Sequence, residues 1–220
     1  MAKLCIWLPP LAADYSGVCS VFFDLNGITA VSDASCCTDN YVNYDEPRWA
    51  EQRKNVFCIS LRTIDAVLGS DAKIVSRILE AAAVLRPELI AFVGTPVSAL
   101  IGMDAEGIAC EIEAWAGVPS LGFASSGFRY YDEGIVMAGS ALIDRFAEDA
   151  LIAVPRRLNI LGMTPLDFGS VGNDLDFCAF FVKAGFDVRC FCMGMSLDDI
   201  RTIGSAGINL AVSSAGIALA

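Results

Sequence analysis

One sequence pattern limits the folds that this chain can adopt. In it, a helical segment ends at glycine or proline and a short apolar run follows. Residues 86–87, 117–119 and 184–185 each contain such a stop directly before an apolar run. Helical segments that alternate with strand-length apolar runs are typical of β-α-β units around a parallel sheet. The sequence therefore predicts a doubly wound α/β architecture.

The predicted elements fall into two groups. Strands are predicted at residues 28–32, 89–93, 120–124, 158–161, 188–192 and 209–212. Helices are predicted at residues 15–25, 72–85, 98–116, 133–150, 171–184 and 197–203. A Pro-Arg-Arg segment precedes Leu158, so we place residues 1–155 in a first domain and residues 156–220 in a second. Residues 215–218 resemble the start of another helix, and we expect the sequence to end inside that second domain.

The charge balance and the absence of histidine exclude several classes of function. The sequence has 26 acidic and 15 basic side chains, a net charge of −11 and no histidine. A nucleic-acid partner requires clustered lysine and arginine, so none is expected. Nucleophiles that depend on a histidine base and metal sites built on imidazole are also excluded. Any metal chemistry must use thiolate, carboxylate or backbone ligands.

The apolar runs are too short for a membrane protein. None approaches the ~20 residues that span a bilayer, and the first residues lack the core and cleavage site of a signal peptide. We expect a soluble, cytoplasmic protein with no membrane partner. In that compartment the nine cysteines are expected to be reduced thiols, some of them metal ligands, rather than disulfides.

Five of the nine cysteines lie within the first 58 residues, and three of these are candidates for function. Cys19 is predicted near the start of a helix, where the helix dipole favours a thiolate. Cys36 and Cys37 lie in a predicted polar loop directly after a strand, at the edge where open α/β sheets bind ligands.

The alternative is that cysteines serve as small hydrophobic packing residues. This interpretation is favoured for six cysteines in apolar patterns, namely Cys5, Cys58, Cys110, Cys178, Cys190 and Cys192. Cys190 and Cys192 are two residues apart in a predicted strand and should share one of its faces. Two thiols without further ligands nearby make a weak metal site, so we expect both cysteines to pack in the core.

Four stretches together resemble the nitrogenase component 1 family, which includes molybdenum-iron protein subunits, cofactor-assembly scaffolds and tetrapyrrole reductases. These stretches are Cys19 with the strand and loop at residues 27–37, the segment 60–69, the segment 94–104, and the strand 158–162. The last resembles the strand that opens the family's second Rossmann-like domain. The resemblance implies Rossmann-like domains, an iron–sulfur cluster bound by cysteines at a subunit interface, and electrons from an ATP-hydrolysing iron-protein partner.

The resemblance places two of the family's three cluster cysteines on Cys19 and Cys37. Cys36 stands where the family has glycine, and Thr95 stands at the third cysteine position and cannot supply a thiolate. A 4Fe-4S cluster held by cysteine needs about four thiolates. A homodimer could supply two Cys19 and two Cys37, with Cys36 as a local substitute, and a related subunit is the other partner that the resemblance allows. Because histidine is absent, the larger nitrogenase cofactor and dinitrogen reduction are not implied.

Two functions remain open from the resemblance, and a third from the residues alone. The first is an oxidoreductase subunit that receives electrons from the iron-protein partner. The second is a scaffold that holds an iron–sulfur or iron-molybdenum type cluster during assembly and passes it on without turnover. The third is an α/β interaction domain whose cysteines only pack.

Overall fold

The computed structural model describes residues 11–149, 152–168 and 172–220. The strands are β1 Gly27–Val31, β2 Val56–Cys58, β3 Leu89–Val93, β4 Ser120–Phe123, β5 Val154–Leu161, β6 Asp187–Phe191 and β7 Ala206–Ala211. The α-helices are α1 Asp14–Phe22, α2 Cys36–Asn40, α3 Thr63–Leu68, α4 Asp71–Leu85, α5 Pro96–Leu100, α6 Ala105–Ala116, α7 Tyr131–Phe146, α8 Pro165–Phe168, α9 Asn173–Lys183, α10 Leu197–Arg201 and α11 Ser214–Leu219. A π-helical turn, Tyr41–Asp45, and two 3₁₀ turns, Pro47–Ala50 and Ile203–Ser205, complete the set.

The first sheet has four parallel strands in the order β2-β1-β3-β4. β1 lies between β2 and β3, and its register with β3 pairs Gly27 with Leu89 and Val31 with Val93. All five residues of β3 are buried. Burial on both faces is the usual state of a strand in a parallel sheet covered by helices on each side.

Alternate residues of β3 pack into two separate cores, one on each face of the sheet. Leu89, Ala91 and Val93 pack with residues of α1 and α7. Ile90 and Phe92 pack with residues of α4 and α6. The alternation places α1, the helix that carries Cys19, directly against the face of the central strands.

The second sheet has three parallel strands in the order β6-β5-β7. Leu158 and Ile160 of β5 pack with aromatic residues of α9, whereas Leu161 and Phe191 join the core that contains α1 and α7. The predicted doubly wound α/β fold with parallel sheets is therefore confirmed. The predicted boundary at residue 155 lies just after β5 begins, and the division into domains stays a prediction.

Several predicted elements differ from the observed ones. The strand β2 was not predicted, and the single helix predicted at 98–116 is two helices, α5 and α6. Gly102 between them has a φ of 69°, a left-handed conformation that interrupts a helix. The Asp104 carboxylate then accepts a hydrogen bond from Gly107 N–H at 2.9 Å and caps α6. Residues 150 and 171, at the ends of two predicted helices, lie outside the described residues.

Within the described residues, every helix is too short or too polar to cross a lipid bilayer.

Candidate functional site

The loops that follow β1 and β3 lie at the point where the strand order of the first sheet reverses. From β1 the chain proceeds to β2 on one side, and from β3 it proceeds to β4 on the other. In open parallel sheets, ligands bind at the carboxyl edge of such a switch point. The candidate residues Cys36 and Cys37 follow β1, and Thr95 follows β3, so all three residues lie at this edge.

Thr95 joins the two loops. Its side chain is fully buried, and its hydroxyl donates a 2.7 Å hydrogen bond to the carbonyl of Ser32. Its N–H donates to Ser98 Oγ at 2.7 Å, which caps α5. Thr95 therefore links the two loops and belongs to the capping box of α5.

The segment with Cys36 and Cys37 is a short helix, α2, and the prediction of a polar loop over these residues was wrong. The Asp33 carboxylate organises the turn by accepting hydrogen bonds from Ala34 N–H at 2.7 Å and Thr38 N–H at 3.0 Å. Ser35 lies between them with a φ of 131°, a backbone conformation that is costly for a residue with a side chain. Both cysteines thus start a helix that the Asp33 turn holds in place.

Cys37 is partly buried and packs against the core that contains Tyr15 of α1. Burial raises the pKa of its thiol to about 11, and the negative charge of Asp33 adds to the increase. A hydrogen bond from the Tyr15 side chain acts in the opposite direction. Cys36, the preceding residue, is exposed to solvent. The two adjacent cysteines thus present one solvent-exposed thiol and one that packs against α1.

Cys19 has no exposed surface, and the expectation of a helix-start thiolate was wrong. Because α1 begins at Asp14, Cys19 lies in the middle of the helix. Burial raises the pKa of the Cys19 thiol well above its ordinary value, and the nearby charges of Glu46 and Asp45 raise it further. Cys19 lies one helical turn after Tyr15 and in the same core as Cys37. Both predicted ligands thus belong to the same core, Cys19 as a fully buried member and Cys37 as a partly buried residue packed against it.

A buried polar network around Glu46 packs against α1, and it was not predicted from the sequence. Ser20 Oγ donates to Glu46 Oε2 at 3.0 Å, and Tyr41 Oη donates to the same oxygen at 3.2 Å. Arg48 Nε donates to Glu46 Oε1 at 2.7 Å. The only signal in the sequence was the acid-proline-base run at residues 46–48.

Asp45 extends the same network toward α2. It accepts hydrogen bonds from Ser16 Oγ at 2.7 Å and Asn40 Nδ2 at 2.8 Å. Burial raises its pKa above the usual value, and both hydrogen bonds lower it. Asp45 thus ties the first turn of α1 to the last residue of α2, which fixes the relative position of the helices that carry Cys19 and Cys37.

The other cysteines were mostly predicted as packing residues, with mixed results. Cys192 is buried as predicted, whereas Cys110 is exposed and Cys58 is partly exposed. Cys58 Sγ lies 3.4 Å from the Asp33 carbonyl oxygen, at the carboxyl end of β2. Cys190 and Cys192 do not share a strand face, because β6 ends at Phe191 and Cys192 has a φ of 89°. Cys5 lies outside the described residues.

The Cys37 thiol is expected to react with iodoacetamide at pH 8 about tenfold more slowly than the exposed Cys110 thiol. A pKa near 11 lowers the thiolate fraction by roughly two orders of magnitude relative to an ordinary thiol. The stronger nucleophilicity of a more basic thiolate recovers about one order. The rate at Cys37 should keep rising until the pH approaches 11. Mass spectrometry of alkylated peptides over time measures both rates in one sample.

Tyr15→Phe provides the matched variant. The tyrosine hydrogen bond lowers the pKa of Cys37, so its removal should slow the alkylation of Cys37 further and leave Cys110 unchanged. Faster alkylation in Tyr15→Phe would show that the side chain acts only as a steric cover.

The chemistry of the donor atoms suits an iron–sulfur cluster, but their number in one chain does not. Cysteine thiolates are the usual ligands of such clusters, and Cys36 and Cys37 lie at an accessible sheet edge. In the part of the chain that the structure describes, however, no three histidine, cysteine, aspartate or glutamate side chains form a group that could hold a metal ion. The residues present therefore fit a cluster only when a second chain contributes ligands.

Comparisons with known proteins show the family and the fold of the chain. The family described as nitrogenase component 1 type oxidoreductase matches residues 13–220. Two solved structures, titled nitrogenase Cp1 at pH 6.5 and at pH 5, superpose with TM-scores of 0.69 and 0.72 at 17% sequence identity. They cover 96% and 98% of this chain, which spans 43% and 46% of theirs. A comparison with curated protein sequences gives no match.

The structural similarity shows the same fold, and the family match extends over almost the entire sequence. It includes the α1 helix with Cys19, the α2 segment with Cys37 and both parallel sheets. The chain belongs to the nitrogenase component 1 type oxidoreductase family.

Proposed function

We propose that the protein is an iron–sulfur oxidoreductase subunit that receives electrons from an ATP-hydrolysing iron-protein partner in the cytoplasm. Family membership over residues 13–220 supports the class of protein. The observation that carries the proposal is the position of Cys36 and Cys37 at the switch point of the first sheet, where such folds bind their ligands.

The cluster is proposed to be of the 4Fe-4S type and shared by two copies of the chain. Cys37 and the inner residue Cys19 are its proposed ligands in each copy, with Cys36 as the substitute nearest the surface. The two copies together provide the four thiolates that such a cluster needs. When bound, the cluster supplies one-electron transfer.

The remaining residues of the site set the environment of these thiols. The Tyr15 side chain lowers the pKa of Cys37, and polar groups beside ligand sulfur are one way in which a protein tunes a cluster. Asp33 fixes the turn before Cys36. The Thr95 hydroxyl holds the loop after β3 against the loop after β1. None of these three residues is a proposed ligand, and each acts by positioning a thiol or a loop.

Replacement of Cys37 by serine is expected to abolish cluster binding. After anaerobic reconstitution with ferrous iron and sulfide, the wild-type chain should hold about two iron atoms per chain, equivalent to one 4Fe-4S cluster per dimer. Cys37→Ser should hold none, because a hydroxyl is a poor substitute for a thiolate. Iron and sulfide analysis, electron paramagnetic resonance of the reduced protein and mass in solution provide the measurements.

Cys110→Ser is the control, since Cys110 is an exposed thiol on α6, away from the switch point. It should retain the wild-type iron content and spectrum. Cys36→Ser separates the two adjacent thiols: iron loss in Cys36→Ser but not in Cys37→Ser would transfer the ligand role to Cys36. A wild-type protein that stays monomeric and free of iron would contradict the proposal.

A scaffold for metallocofactor assembly is the second candidate, and one observation favours it. Thr95 occupies the family's third ligand position and is committed to structural hydrogen bonds, which leaves the cluster with fewer protein ligands. A weakly held cluster is suited to transfer. If this function is correct, the reconstituted protein should pass its cluster to an apo-acceptor. It should show no substrate reduction when an iron protein and ATP are present.

A further inference from the structure

A cleft at the amino edge of the first sheet lies away from the proposed cluster site. It has a volume of about 480 Å³, which is within the ~300–1,000 Å³ range of small-molecule sites. Glu88 and Pro119 line it directly before β3 and β4, and Phe146 lines it at the end of α7. Residues of α10, together with Ser196 just before that helix, complete the lining. The proposed cluster ligands belong to the opposite, carboxyl half of the same sheet.

The lining of this cleft combines apolar side chains with one carboxylate that has no partner. Pro119, Phe146 and Leu197 provide the apolar part. Glu88 is exposed, and its backbone N–H donates to the Asn26 carbonyl at 2.8 Å. Its carboxylate makes no hydrogen bond or ion pair with any residue that the structure describes. The Glu88 carboxylate is therefore available to a ligand in the cleft.

The other two charged side chains of the lining neutralise each other. Arg201 Nη1 lies 2.6 Å from Asp198 Oδ1, in a pair whose side chains are 46% and 83% exposed. The two residues are three positions apart, in and directly after the first turn of α10. With this pair intact, Glu88 is the one uncompensated charge among the described residues that line the cleft.

Two helix ends make the potential at the cleft more negative. α6 ends at Ala116, three residues before Pro119, and α7 ends at Phe146. The C-terminal end of a helix carries a partial negative charge, because its last carbonyls have no intrahelical donors. Arg145, the basic residue in the last turn of α7, is paired with Glu113 at 2.6 Å. The helix ends and the Glu88 carboxylate thus both favour a cation over an anion.

We propose that this cleft binds a small organic amine, with the ammonium group at the Glu88 carboxylate and the apolar part of the molecule against Phe146, Pro119 and Leu197. A protonated amine matches both the charge and the apolar walls, whereas an inorganic cation would leave those walls exposed to water. The proposal goes beyond the proposed function, because it involves no cluster ligand and applies to the iron-free chain.

Ligand-observed NMR titration of the full, iron-free chain tests the charge of the ligand with three probes of similar size. Phenethylamine carries an ammonium group, phenethyl alcohol is neutral and hydrocinnamate is an anion. We expect saturable binding of the amine, weaker binding of the alcohol and the weakest binding of the acid. Added salt should weaken the binding of the amine and leave that of the alcohol unchanged.

Two variants in the cleft should have opposite effects on the affinity for phenethylamine. Glu88→Gln should weaken binding about fivefold, because it removes the carboxylate that faces the ammonium group. Arg201→Met should strengthen binding about threefold, because it removes the positive side chain of the lining and releases Asp198. Glu111→Gln is the matched control: it removes an exposed carboxylate of α6 that does not line the cleft, and binding should stay at the wild-type level.

The control separates a specific site from general attraction of a cation to a chain with a net charge of −11. Equal effects of Glu88→Gln and Glu111→Gln would mean that the amine responds only to net charge, and this result would overturn the proposal. The proposal also fails if phenethylamine shows no saturable binding, or if either of the other probes binds as tightly. Circular dichroism verifies that Glu88→Gln is folded, and tighter binding by Arg201→Met cannot result from a loss of folding.

Discussion

Replacing Arg48 with methionine is expected to lower the free energy of unfolding by ~3–5 kcal/mol, the usual cost of removing one partner of a buried ion pair. The Arg48 side chain is 7% exposed and that of its partner Glu46 is 0% exposed. The guanidinium group also donates to Asp24 at 2.6 Å and to the Ser20 carbonyl at 2.8 Å. Without it, two carboxylates and a carbonyl lose their main donor. Urea unfolding followed by circular dichroism measures the difference.

The effect of Arg48→Met should extend to the second sheet. Asp24 Oδ2 accepts hydrogen bonds from Arg48 and, at 2.7 Å, from the backbone N–H of Gly194 in the loop after β6. The guanidinium carbon also lies 4.3 Å from the centre of the Phe23 ring, a favourable cation–π contact. Arg48 therefore holds together the end of α1 and a loop of the second sheet, and its removal weakens both contacts.

Two further variants distinguish this cause from a general loss of charge. Arg201→Met removes a pair with Asp198 in which both side chains are well exposed, and it should change stability by less than ~1 kcal/mol. Adding Glu46→Gln to Arg48→Met should recover part of the loss, because it removes the uncompensated buried charge. A decrease below ~1 kcal/mol for Arg48→Met would contradict the assignment of a buried, essential ion pair.

Most of the fold could be predicted from the sequence, because apolar runs and the glycine and proline residues that end helices are local signals. β3 was predicted with its observed bounds, since all five of its residues are apolar. β2 was missed because only Val56, Phe57 and Cys58 form it, and an edge strand this short has little periodicity. The same limit applies to α2, whose residues are polar and become helical only because Asp33 caps the preceding turn.

The position of Cys37 in the fold could be predicted from the sequence, but the burial and pKa of the candidate thiols could not. Loops after parallel strands meet at one edge, and this placed Cys37 at the carboxyl edge of the sheet. Cys19 is buried in a core whose members come from distant parts of the chain, and the charges that raise its pKa further, those of Glu46 and Asp45, lie more than 25 residues after it. Such long-range contacts leave no periodic signal in the sequence, so the predicted thiolate at Cys19 was wrong.

Replacing Gly134 with alanine is expected to cost ~3 kcal/mol or more, at or above the upper end of the usual range for overpacking. A Cβ at this position would lie 1.9 Å from the backbone oxygen of Asp14, and at Gly17 it would lie 2.1 Å from the backbone oxygen of Tyr131. The two helices α1 and α7 thus approach each other through reciprocal glycines. Backbone atoms cannot rotate away as side chains do, so α1 must shift. Urea unfolding measures the loss.

The consequence for the site is specific, because α1 carries both Tyr15 and Cys19. A shift of α1 would expose Cys37, and since burial is the main cause of its raised pKa, its alkylation at pH 8 should accelerate in Gly134→Ala. Gly204→Ala is the control: its nearest neighbouring atom would be 3.9 Å from the new Cβ, so both stability and alkylation should stay close to wild type. If Gly134→Ala matched Gly204→Ala in stability and in the Cys37 rate, the close approach of α1 and α7 would not be what holds Cys37 in its buried state.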